Sequence, residues 1–165
     1  MWTALFTHAK FIRPIRENLQ TLIAANEAAA LAWANDGAAM DPFKVYRKAL
    51  WYNTLWPVIS IVSQTTEMVG AGDEALPQKH SILVEIEDSG PDPDELTVSV
   101  ERRVAAIDMI ITSANPNLLK TGMDADHIAI HEVSVASHDY SQFTRGQNRY
   151  LQVGSLMVKV VTIEA

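Results

Sequence analysis

The chain has 165 residues, 48% of them hydrophobic and 20% charged, with a formal net charge of -7 and no cysteine. A chain of that length fits one domain and buries roughly 70% of its unfolded surface without any covalent staple. The lack of cysteine excludes disulfides, thiolate metal sites, iron–sulfur clusters and a cysteine nucleophile, and the scattered basic residues argue against a nucleic-acid-binding stripe.

In MWTALFTHAKFIRPIREN the charges follow a short apolar part, which is not the order of a secretory leader. No run approaches the roughly 18–20 apolar residues of a membrane span. Residues 4–35 read as mostly helical: Ile15, Leu19, Leu22 and Ile23 recur at helical spacing and lead into EAAALAWA, with Pro14 near a start or break and Gly37 ending the run. Asp41-Pro42 reads as an N-cap and first-turn proline opening a short helix through about Trp51.

Pro57 introduces a β-branched strand, VISIVSQTT, followed by the loop GAGDEALPQ. HSILVEIED, from His80 to Asp88, alternates, with Ile82, Val84 and Ile86 on one face and Leu83, Glu85 and Glu87 on the other. After SGPDPDE, with Asp92 or Asp94 as cap, Leu96, Val100, Val104, Ile107 and Ile111 form a helical stripe, with Arg102, Arg103 and Asp108 off it. A strand over TVSV competes with this helix, but the longer period holds for four turns. Asn115-Pro116-Asn117 ends the helix. His127 to His138 reads as a third strand whose apolar phase slips, which indicates a bulge. DYSQFTRGQNR reads as a long polar connection, and RYLQVGSLMVKVVTIE as a central strand, apolar on both sides near its middle. The expected fold is a single α+β domain over 1–165, helical over about 4–51 and strand-rich beyond. Its order is α-(α)-β-β-α-β-β, with a four-stranded antiparallel or mixed sheet and helices packed on it.

No catalytic or metal site emerges. His127 and His131, with Asp124 and Asp126 nearby, have the spacing of a helical metal pair. On a strand, positions four apart lie roughly 13 Å from each other. Ser137-His138-Asp139 alternate faces on a strand and carry no nucleophile-elbow signature. Gly70-Ala71-Gly72 lacks the third glycine and the lysine of a phosphate loop. Glu85 and Glu87 read as the wet face of an amphipathic strand. No cofactor is expected.

The connections over 70–79 and 137–149 are longer than hairpins need, which suits contact-making. Glu74, Leu76, Tyr140, Phe143 and Arg145 are the candidate contact residues. Trp2, Phe6, Trp33, Trp51 and Trp56 are either interface anchors or a cap on the core beneath the first helix.

An N-terminal helix, then LWPVISIVSQTTE, HSILVEIEDSG, the helix LTVSVERRVAAIDMIITSA and the closing strand YLQVGSLMVKVVTIEA cover most of residues 10–165. In that order and spacing the chain resembles the tail-terminator (tail-completion, minor tail) proteins of long-tailed bacteriophages. The resemblance implies a virion protein, assembled in the host cytoplasm, that forms a homohexameric ring at the head-proximal end of the tail. The ring would cap the tube protein, stop tube growth and present its other face to a head-completion or neck protein. DNA would pass an acidic lumen without specific binding. A head–tail connector is the nearest alternative, and a small ligand-binding or metal-dependent enzyme domain a more distant one.

Overall fold

The computed structural model describes residues 11–50, 55–68, 77–123, 128–146 and 148–164. Helix α1 spans Ile12–Ala34 and carries Pro14 in its first turn, where a missing N–H costs no helical bond. It buries Ile15, Leu19, Leu22, Ile23, Ala30 and Leu31. The chain leaves it through Asp36 and Gly37, both at positive φ, with the Gly37 N–H returning to the Ala32 carbonyl at 2.8 Å.

The short helix expected from Asp41 to about Trp51 is absent from the described residues. Strand β1, Val45–Arg47, takes its place and pairs in parallel with β2, Val58–Met68. The cause is tertiary. Glu27 on α1 accepts the Phe43 N–H at 2.5 Å and the Tyr46 hydroxyl at 2.7 Å, and the Lys44 N–H donates to the Pro57 carbonyl at 2.8 Å. The Phe43 and Lys44 N–H groups are the ones an Asp41 N-cap would have accepted, so that cap is not made and Val45–Arg47 pairs with β2 instead. Burial, together with the Glu27 bond, raises the Tyr46 pKa.

Strand β3, Gln78–Gly90, follows, then helix α2, Pro93–Ser113. Asp92 caps α2: its Oδ1 accepts from the N–H groups of Asp94 at 2.9 Å and Glu95 at 3.2 Å. The TVSV segment is therefore helical. A 3-10 turn over Pro116–Lys120 is tied to α1 by the Asn18 amide, which donates to the carbonyls of Leu119 and Thr121. Strand β4, Ile128–Thr144, and β5, Tyr150–Glu164, complete the chain.

Among the described residues the sheet has five strands, not four, in the order β1-β2-β3-β5-β4, antiparallel except for the β1–β2 pair. Strand β5 lies between β3 and β4, an inner position as expected. Both helices pack on one face. There Ile59, Ile61, Ile82, Val84, Ile86, Leu156, Val158 and Val160 meet the apolar stripes of α1 and α2. The opposite face carries Val62, Leu83, Glu85, Glu87, Val153, Met157 and Lys159, all half-buried.

Gly154 permits the close approach of α2 to β5. A Cβ there would lie 2.7 Å from Val100 Cγ1 and 2.7 Å from Val104 Cγ2.

Candidate interaction surface

The expected polar connection over 137–149 is largely strand. β4 continues to Thr144, and only residues 145–149 turn the chain into β5. The turn is closed by the Arg145 N–H donating to the Arg149 carbonyl at 2.7 Å, with Gly146 and Asn148 at positive φ. Strand β4 is the sheet's outer strand among the described residues. The expected bulge is present and is doubled: register slips between Ile130 and Glu132 and again between Val135 and Ser137. Beyond the second slip, residues 137–144 pair with β5 without interruption and are all exposed.

Side chains facing the helices fasten this half-strand. His138 Nε2 lies 2.8 Å from Asp108 Oδ2 on α2, and the Gln142 amide donates to the Pro93 carbonyl at 3.1 Å. Tyr140 sits opposite Gly154, its ring above the glycine. Partial burial, then Glu101 and Asp108, raises the pKa of its hydroxyl. Ser137, Asp139, Ser141 and Phe143 alternate onto the other face, where Phe143 lies opposite Leu151. Ser137-His138-Asp139 is thus mid-strand, with His138 directed away from its two neighbours.

Tyr140 is 46% and Phe143 53% exposed, on opposite faces of one strand. Arg145 sits in the turn with its guanidinium 4.4 Å from the centre of the Trp56 ring, a cation–π contact that holds the turn against the start of β2. The structure therefore gathers Tyr140, Phe143 and Arg145 at one end of the β4–β5 hairpin. Glu74 and Leu76 lie outside the described residues, as do Gly70-Ala71-Gly72, Trp2, Phe6, Trp51 and His127. Trp33 is 58% exposed on α1. His131 is exposed on β4, and among the described residues no three His, Cys, Asp or Glu side chains converge on a point that could hold an ion.

Two buried arginines were missed in the sequence. Arg47 is 3% exposed. Its Nε donates to Ser60 Oγ at 2.9 Å and its Nη2 pairs with Glu87 Oε1 at 2.9 Å. Glu87 is therefore an ion-pair partner and not simply a wet carboxylate. Next to it, burial and then Glu87 push the Glu85 carboxyl up to about 7. Arg103, placed off the helical stripe by the sequence pattern, is also 3% exposed. It donates to the Asp41 carbonyl at 2.8 Å, approaches Asp88 at 3.9 Å and covers the Phe43 ring, joining α2 to the segment before β1. The sequence carried no signal for Arg47, because the segment reads as a helix and Arg47 comes to stand opposite Ser60 only once β1 pairs with β2.

Among the described clefts, one of about 460 Å³ lies between Asn35, Met40, Asp94, Glu95, Val98, Ser99 and Arg102. Its guanidinium is already engaged by Asn35 and Asp36. No helix among the described residues is long and apolar enough to cross a membrane.

No family model matches the chain, and no curated protein matches it. Among solved structures it is similar to a chain of the virion of a native gene transfer agent (GTA) particle. The TM-score is 0.50 at 10% sequence identity, covering 91% of this chain and 94% of that one. At that identity the likeness is one of fold, and it runs nearly end to end in both chains.

Proposed function

We propose that the chain is a structural virion protein, a tail terminator without catalytic activity. In this reading it forms a ring, a hexamer in the family it resembles, at the head-proximal end of the tail. One face of the ring caps the tube protein and the other receives a head-completion or neck protein. The observation that carries the reading is the end-to-end likeness of fold to a chain of a virion particle, at matching chain length. The long β4–β5 hairpin supports it, since an exposed arm with Tyr140 and Phe143 suits contacts between proteins better than it suits a pocket. A net charge of -7 suits a lumen through which DNA slides without adhering.

Deleting the coding sequence from a particle-producing cell tests the assignment by electron microscopy. Tubes of abnormal, variable length that lack heads are expected. Normal-length tubes that merely fail to join heads would support the connector reading. Normal particles would refute both.

A further inference from the structure

We infer that copies of this chain join by continuing the sheet from one copy to the next, residues 137–144 of β4 in one copy pairing with residues 62–68 of β2 in its neighbour. The inference rests on the ring reading above and gives that ring its joint.

Both stretches are open edges. Strand β1 covers only Val58, Ile59 and Ser60 of β2. Beyond Ser60, no strand among the described residues pairs with β2 on that side, and Gln64–Glu67 are exposed. On the far side of the sheet, 137–144 is the exposed outer run of β4. The two stretches have similar length and polar, strand-compatible composition: VSQTTEM against SHDYSQFT. An open edge presents unpaired backbone donors and acceptors that readily accept another strand. Strands β2, β3, β5 and β4 alternate in direction, so a neighbour's β4 meeting β2 is antiparallel and preserves the alternation.

The two edges differ from each other, so their pairing is head-to-tail, the kind of contact that generates a ring when the rotation closes. Their stagger fits closure. Thr65, the middle of the open β2 stretch, aligns through Ser81 with Lys159 on β5, whereas Ser141, on the same face of the sheet, aligns with Val153. The offset of six residues along β5 is about 20 Å, against about 19 Å for the width of four strands. Copies related by a pure rotation would then have strands inclined roughly 46° to the ring axis, next to the upper end of the 35–45° tilt typical of closed barrels.

The test uses the absence of cysteine. Thr65→Cys and Ser141→Cys are at exposed positions, and each side chain lies on the face away from the helices. The full chain carrying both, concentrated in solution and treated with a short bismaleimide, is expected to give a covalent ladder that ends at a ring. Each single variant alone is expected to stay monomeric on denaturing gels, and an equal mixture of the two to stop at dimers. Dimers from Ser141→Cys alone would mean like-with-like β4 pairing and would overturn the inference, as would a double variant that gives no ladder. A ladder accompanied by tubes of normal length on gene deletion would sink the terminator role and leave the joint standing. Overlong tubes without a ladder would do the reverse.

Discussion

Gly154→Ala probes whether the α2–β5 approach governs the core. The added methyl would sit 2.7 Å from two γ-methyls, on Val100 and Val104, both essentially fully buried. A carbon–carbon contact that short lies well inside the optimum of about 3.5–4.0 Å. Neither valine can swing away cheaply, because a β-branched side chain in a helix has one strongly preferred rotamer. The helix must therefore move outward or the strand must bend, at about 1–3 kcal/mol for an overpacked core. Lower entropy of the unfolded chain returns about 0.4–1 kcal/mol. A net loss of about 1–2 kcal/mol should lower Tm by roughly 2–8 °C for a chain of this size. Urea and thermal melts followed by circular dichroism measure it. Val100→Ala in the same chain should recover part of the loss, so the pair should be non-additive. A Gly154→Ala protein as stable as the parent, or more stable, would refute the close-approach argument.

Asp92→Ala should cost about 1 kcal/mol by releasing two N–H groups at the start of α2, read as a lower urea midpoint at unchanged slope. Glu85 carries a folded-state pKa of about 7 against an ordinary 4.5, so the folded chain holds this proton more tightly than the unfolded chain does. Its contribution to stability must fall as pH rises from about 4.5 to 7, and Glu85→Gln should flatten that part of the stability–pH curve and raise stability above pH 7. Phe143→Ala and Arg145→Glu should leave the subunit folded. The second forfeits the stack on Trp56, worth about 0.5–1 kcal/mol, and particles carrying both should show irregular tails or poor head joining. Uniform, fully joined tails would remove these residues from the interface.

What was legible in the sequence was whatever a one-sided burial imposes. Helix α2 announced itself through the period of Leu96, Val100, Val104, Ile107 and Ile111 and through a capping aspartate, and the alternation of Ile82, Val84 and Ile86 was equally direct. Two elements were misread for different physical reasons. Asp41-Pro42 is a sound local helix start, but Glu27, sixteen residues away from Phe43, takes the decisive N–H, and tertiary bonding overrode the local signal. Residues 137–144 look like a loop because an outer strand exposed on both faces has no reason to alternate apolar with polar. Gly146 and Asn148, the turn residues at positive φ, were the better marker of where the hairpin reverses.

The same reasoning explains why the candidate surface is harder to read than the core. A strand edge that meets its partner only during assembly must first tolerate water, so Ser, Thr and Gln suit it better than the branched apolar residues that mark a buried strand. Gln64, Thr65 and Thr66 on β2 and Ser137, Ser141 and Gln142 on β4 have that composition. What distinguishes them from ordinary polar surface is position: each stretch occupies an open side of one sheet, at diagonally opposite corners. Position of that kind depends on strand order. Here β5 is inserted between β3 and β4, which moves the hairpin's first strand to the outside and, among the described residues, leaves β2 open beyond its three-residue neighbour. Had β4 paired with β3 instead, residues 137–144 would be an inner strand and the open edge would belong to β5, whose Leu156, Val158 and Val160 are core residues. The strand order therefore places the most water-tolerant strand of the hairpin where another copy can reach it.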